Sequence, residues 1–212
     1  LTKIFIVKQI TAFYLKNFIR FVLYCIEHII FSIFGKKSKV DWSQKNFLID
    51  IFFLVDNIIK DSNFKDNYFG ELYDVLERHN KKYIFLPRLY GVSKNPFKLI
   101  ALFNVTNQDK SNVFIYEYEL LNIVDIFKIF IFIVKYPLKQ FKLIQNNKYE
   151  LGAYFNYELF SVLSSTSFIA YVRYLVGKKV VKKIADGSKI ISWQEFQNLE
   201  KSFNKAIKES SK

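Results

Sequence analysis

Leu48 to Val55 reads LIDIFFLV, a short apolar run closed by the polar pair Asp56-Asn57, and runs of this kind recur with helix-length segments between them. A run this short and this apolar predicts a strand buried on both faces, as an open parallel sheet provides. Lys82 to Pro87 is a second such run, expected to stop at Pro87; Val113 to Tyr118 (VFIYEY) is a third and Lys189 to Ser192 (KIIS) a fourth. An amphipathic helix over Tyr68 to His79 separates the first two, and a helix opening at Asn95-Pro96 and reaching about Phe103 follows the second. Ser62 to Asn67 and Val105 to Asn112 read as polar loops. Glu119 to Val134 predicts a long apolar helix broken before Pro137, and helices are expected over Glu150 to Ser164, Phe168 to Ile184 and from Trp193 onwards. Strands alternating with helices at this spacing predict an α/β fold: a Rossmann-like, mostly parallel sheet with helices on both faces.

An amphipathic helical segment precedes it. Ile4 to Phe34 is strongly apolar but interrupted by Lys8, Lys16, Arg20, Glu27 and His28, which leaves no uncharged stretch near the roughly 20 residues of a spanning helix. Lys8, Lys16, Arg20 and Glu27 share one helical face, with Phe13, Phe18, Phe21, Leu23 and Ile30 around the rest. That pattern fits a core-packed helix or one lying on a membrane surface. Gly35 to Lys39 ends the helix in a basic stop, so residues 1–44 read as helix plus linker and residues 45–212 as the Rossmann-like domain.

Composition removes several classes of function. One cysteine, Cys25, excludes a disulfide scaffold, and with only His28 and His79 there is little to build a metal centre. Six glycines leave no phosphate-cradling loop. The 32 Lys+Arg against 19 Asp+Glu give a formal charge of +13, but only Arg20, Arg78, Arg88 and Arg173 are arginines, and the lysines are spread over the whole chain. Nucleic-acid binders cluster their basic residues and lean on arginine, so no nucleic acid is expected as partner. Scattered lysines beside aromatics suit an anionic membrane surface better. Lys135, Lys139 and Lys142, interleaved with Tyr136, Phe141 and Leu143, form a stripe that is either a solvated face or such a surface contact.

In an open parallel sheet, ligands gather at the carboxyl ends of the strands. That rule nominates Asp56 with Asn57, Arg88 with Tyr90, Glu117 with Glu119, and Trp193 with Glu195 and Gln197. A carboxylate there can take a proton from a hydroxyl, and an arginine can neutralise a phosphate. Glu117 and Glu195 are the candidate catalytic carboxylates.

The segment Ile190 to Asn204 (IISWQEFQNLEKSFN) resembles a motif of bacterial surface-carbohydrate biosynthesis proteins, the glycosyltransferases of O-antigen, lipopolysaccharide and capsule gene clusters. In that family a strand is followed by W-[FY]-E-N-Q and an acidic-Lys pair; Trp193, Glu195, Gln197, Glu200 and Lys201 match, while Phe196 stands where the family has Asn. Asp66 to Leu72 (DNYFGEL) resembles the family's Y-[WF]-G-x-L helix start and adds Tyr68 as a candidate substrate contact. Lys82 to Leu89 and Glu117 to Val134 resemble its next elements, so the order holds from about Phe47 to Ser210. The resemblance implies the N-terminal, acceptor-side half of a GT-B-like fold, with the nucleotide-sugar donor held mainly by a C-terminal domain. It implies transfer of a sugar to a lipid-linked or surface-glycan acceptor, with Asp56, Asn57, Tyr68, Arg88, Trp193 and Gln197 as substrate contacts. No bound cofactor or obligatory metal is expected. The implied location is cytoplasmic, peripheral on the inner face of the cytoplasmic membrane. The start at Leu1, the lack of methionine and the Lys-rich helical end suggest a fragment, inactive by itself. The competing expectation is a non-catalytic, membrane-peripheral binding or scaffold protein of cell-envelope biosynthesis.

Overall fold

A computed structural model describes residues 3–66, 68–92, 94–146, 163, 166–192 and 198–210. The chain is a mixed α/β fold in which a long N-terminal helix precedes a three-stranded, all-parallel sheet flanked by helices. Helix α1 (Lys3–Phe34) leads into β1 (Phe47–Leu54), α2 (Val55–Asp61), α3 (Leu72–Arg78) and β2 (Tyr83–Tyr90). Then follow α4 (Lys98–Gln108), the one-turn α5 (Glu117–Leu120), α6 (Ile123–Asn146), α7 (Thr166–Lys183), β3 (Lys189–Ser192) and α8 (Asn198–Ser210). The strand order is β2-β1-β3, with Phe47 beside both Tyr83 and Lys189. The most apolar run thus takes the central place, where Leu48, Ile49, Ile51 and Phe53 are wholly buried.

Four expectations about the elements are corrected. Pro87 does not stop β2, which runs on to Tyr90. Phe85 turns its N–H and C=O away from β1, to the Val113 carbonyl and the Ile115 N–H. Pro87, two residues on, therefore also turns its nitrogen away from β1, where no donor is required. The third run, Val113 to Tyr118, touches the sheet only through the Phe85–Phe114 bridge, so three strands form among the described residues rather than four. Beyond Ile115 the chain coils into α5, and Glu119 accepts hydrogen bonds from the Ser38 N–H (3.0 Å) and hydroxyl (2.7 Å) instead of extending a strand. Pro137 does not break α6, which continues to Asn146. Ile129 and Ile133 are buried in the core and Tyr136 packs on Phe13 of α1, so tertiary packing holds the helix across one missing hydrogen bond. The polar loop expected from Val105 is helical as far as Gln108, with Thr106 buried and bonded to the Leu102 carbonyl. The helix expected over Glu150 to Ser164 lies, except for Leu163, outside the described residues.

Helix α1 has its polar face turned inward. Phe13, Asn17, Tyr24, Glu27 and Phe31 recur at helical spacing and are buried, with Arg20 half-buried among them. Val7, Leu15, Phe18, Ile19, Val22, Ile29 and Ile33 are exposed on the opposite side. The charged residues therefore do not form one solvent face: Lys8 and Lys16 are exposed, whereas Glu27 is sealed in the core. From Val7 to Phe34 the helix is long and apolar enough to cross a membrane by length and composition alone. It packs lengthwise on α6, through Phe21 on Phe130 and the Tyr14 hydroxyl on the Val134 carbonyl (3.0 Å), and on α4 through Phe31 and Phe103.

Candidate functional site

A cleft of about 750 Å³ opens at the carboxyl end of the sheet. Its walls come from the ends of β1 and β2, the loop after β2, the middle of α1, the start of α5 and the first turns of α7. Five of the nominated residues meet there: Asp56, Tyr68, Arg88, Tyr90 and Glu117. Gly91 makes the turn after β2 possible, at φ +99°, a conformation other residues rarely adopt. Asn57, one residue beyond Asp56, is exposed on α2 and does not line the cleft. Trp193, Glu195 and Gln197 lie outside the described residues.

The floor is an ion network on one face of the sheet. Side chains alternate along a strand, so Asp50 and Phe52 of β1, Arg88 of β2 and Ser192 of β3 share that face. Asp50, fully buried, accepts hydrogen bonds from Arg173 Nη2 (2.7 Å) and the Ser192 hydroxyl (2.9 Å), and Arg88 Nε lies 3.2 Å away. Arg88 also donates to Glu200 of α8 (3.0 Å), and its guanidinium carbon lies over the Phe52 ring, 3.8 Å from the centroid. Two buried carboxylates thus balance two buried guanidiniums, the arrangement that makes burial of such charges tolerable. Arg88 is therefore a structural ion as well as a cleft wall. Glu200, which matches the family motif by sequence, serves here as its buried partner.

A second cluster hangs from α1. Arg20 grips Glu27 through both oxygens (2.5 and 3.2 Å), and the Tyr118 hydroxyl donates to the same carboxylate at 2.9 Å. The Arg20 guanidinium also lies 5.7 Å from the Phe168 ring. Glu117 is half-buried between this cluster and Arg173. Burial pushes its carboxyl above the usual range, only partly countered by the positive charges of Arg173 and Arg20. Among the described residues, Arg20 Nε and Arg173 Nε and Nη1 have no hydrogen-bond acceptor. At the rim, Lys98 of α4 reaches Asp56 at 2.6 Å.

Chemically the cleft offers a carboxyl group whose pKa burial raises, and two guanidinium charges beside it that favour an anion. Sequence reasoning missed Arg20, Asp50, Lys98, Tyr118 and Arg173. For three of these a signal was present: Asp50 in LIDIFFLV, Arg20 in FIRFV and Arg173 in YVRYLV are charges inside apolar runs, and a buried charge needs a partner. Among the described residues no three His, Cys, Asp or Glu side chains are grouped to hold a metal ion. Compared with known proteins, the chain matches no family model, no curated protein and no solved structure.

Proposed function

We propose that the chain is the acceptor-side part of a GT-B-like glycosyltransferase, moving a sugar from a nucleotide-sugar to a lipid-linked or surface-glycan acceptor at the inner face of the cytoplasmic membrane. The observation that carries this reading is the cleft at the strand ends, where Glu117 stands beside Arg20 and Arg173 and α1, whose outer side is apolar, forms one wall. In the proposed reaction Glu117 takes the proton of the acceptor hydroxyl as its oxygen attacks the donor's anomeric carbon. The bond from that carbon to the phosphate oxygen breaks, and the nucleoside diphosphate leaves with the electron pair. Arg20 and Arg173, which line the cleft, attract the acceptor's anionic part by their positive charge. Tyr68 and Tyr90 wall the acceptor sugar, and the donor binds mainly to a C-terminal domain.

The membrane side of the reading rests on α1 and α6. The exposed apolar row of α1 is continued on α6 by Ile123, Phe127, Val134 and Leu138, the first 80% and the second 61% exposed. Two packed helices with an apolar outer surface suit an interfacial position, and +13 of net charge suits anionic lipid. The same surface also fits the scaffold reading, in which the cleft binds but transfers nothing.

The test is sugar transfer by the full-length protein. Glu117→Gln is expected to lower kcat by about 10²- to 10⁴-fold, the range for loss of a general base, while Asn57→Ala leaves it unchanged. The wild-type rate should rise with pH through a value above the ordinary carboxylate range, and Glu117→Gln should remove that limb. Full activity in Glu117→Gln removes the catalytic assignment. Membrane binding without transfer from any nucleotide-sugar favours the scaffold.

A further inference from the structure

A second groove, of about 820 Å³, lies between α6, α7 and the start of α8, and borders the cleft along the first turns of α7 and α8. We propose that it seats the phosphate headgroup of an anionic lipid, and so fixes how the molecule sits on the membrane. This rests on the membrane side of the reading above but not on transfer chemistry.

Five lysines line the groove: Lys128, Lys135 and Lys139 from α6, Lys201 and Lys205 from α8. Among the described residues, no carboxylate lines it. Two of the five are engaged nearby, Lys128 with Asp125 (3.0 Å) and Lys205 with Glu209 (3.8 Å). Lys135, Lys139 and Lys201 are exposed and make no ion pair among the described residues. Three like charges facing one groove repel one another, and a phosphate among them would turn that repulsion into attraction. Part of the groove's wall is aromatic: Phe132 stacks on Tyr171 with centroids 4.2 Å apart, and Tyr136 adjoins Phe132.

The geometry of α6 decides the source of the phosphate. At 100° per residue, Ile123, Phe127, Val134 and Leu138 form one row, and Lys128, Lys135 and Lys139 form another roughly a quarter turn away. When the apolar row rests on hydrocarbon, the lysine row stands at headgroup depth. Ile131, between the two rows, lines the groove and joins it to the apolar side. A lipid can therefore leave its chains in the bilayer and place its phosphate in the groove. A soluble phosphate gains only the second contact.

Three variants and three ligands test this. The groove triple Lys135→Gln/Lys139→Gln/Lys201→Gln is compared with a control triple of equal charge change in the linker, Lys36→Gln/Lys37→Gln/Lys39→Gln. Binding is measured to phosphatidylcholine vesicles with and without phosphatidylglycerol, to monomeric dihexanoyl-phosphatidylglycerol, and to inorganic phosphate. The groove triple should weaken binding to anionic vesicles about 100-fold, following the usual contribution of each lysine near such a surface, and the control triple less than tenfold. Monomeric dihexanoyl-phosphatidylglycerol should bind the wild type saturably and the groove triple not at all, with inorganic phosphate at least tenfold weaker. Equal losses in the two triples would mean diffuse charge attraction and overturn the groove. Inorganic phosphate binding as well as the lipid would overturn the lipid assignment. Wild type that binds the monomeric lipid but no vesicles would leave the groove standing and remove the membrane reading. Wild type that binds vesicles but not the monomeric lipid would do the reverse.

Discussion

Asp50 gathers more of the buried polar structure than any other residue described. It sits in the central strand, wholly out of water, and holds Arg173, Arg88 and Ser192 from three other elements. Removing its charge leaves two guanidiniums on one face of the sheet with Glu200 as the remaining buried carboxylate of the network. Asp50→Asn is therefore expected to cost about 3–5 kcal/mol, the penalty for breaking a buried pair from one side, read from the urea midpoint; a loss below 1 kcal/mol would mean that water reaches the network. His28 gives a pH signature. Burial against Tyr24 and Tyr118 lowers its pKa from 6.5 to about 4, and its ring packs edge-on to both. The unfolded chain then binds the extra proton first, so stability is full above about pH 6.5 and falls as pH drops toward 4. The loss approaches roughly 3 kcal/mol at its limit. His28→Phe, which keeps the ring but cannot titrate, should show a flatter melting temperature between pH 7 and 4.5; an unchanged slope would place the titration elsewhere. Both residues were visible in the sequence, and Tyr24 lies one helical turn from His28, but the other partners are distant in the chain, 123 residues away for the Asp50–Arg173 pair. Spacing shows which residue needs a partner and cannot show which one it finds.

At the scale of elements, what was legible was whatever a single segment decides for itself. The apolar runs at Leu48 and Lys82 became strands because a strand buried on both faces is the only place for so short an apolar segment, while the run at Lys189 pairs with the other side of β1 and is only half-buried. Neighbours decided the rest. Val113 to Tyr118 has strand composition, yet only Phe114 pairs, because Glu119 is drawn to Ser38 and the chain coils. The two prolines mislead for opposite reasons: Pro87 lies at a sheet edge where its missing donor is harmless, and Pro137 lies in a helix that packing holds together. The α7–α8 pair carries a testable case of such dependence. A Cβ on Gly177 would stand 2.9 Å from the Ala206 Cβ and 2.9 Å from the Phe203 carbonyl oxygen, closer than either can allow. Gly177→Ala gains helix propensity of up to about 1 kcal/mol but must push α8 away. Arg173 packs on Phe203 at 4.4 Å and Arg88 reaches Glu200, so the shift spreads into the ion network. A net loss of about 1–3 kcal/mol is expected, as for other overpacked interfaces. A stabilised variant would show that the two helices part freely.

For the whole molecule, the unusual feature is a helix pair built the wrong way round for water. The inner sides of α1 and α6 carry Asn17, Glu27 and Asp125, each buried and paired or bonded, while the outer sides carry Phe18, Ile19, Val22, Ile123 and Phe127. The candidate cleft borders the same helices through Arg20 on α1 and Glu117 just before α6, so whatever those outer sides touch is brought close to the cleft. Hydrocarbon contact and headgroup attraction can be separated, because only the second is screened by salt. On phosphatidylcholine vesicles at high salt, where charge contributes little, the wild type should retain binding through these side chains. The substitutions Ile19→Glu and Phe127→Glu each remove a contact of about 1.5–3 kcal/mol, so each should weaken that binding at least tenfold and the pair should abolish it. Both sites are exposed, 52% and 61%, so urea stability should move by no more than about 0.5 kcal/mol. Vesicle binding that survives both glutamates, with stability unchanged, would place this surface in water and leave the cleft without a membrane beside it.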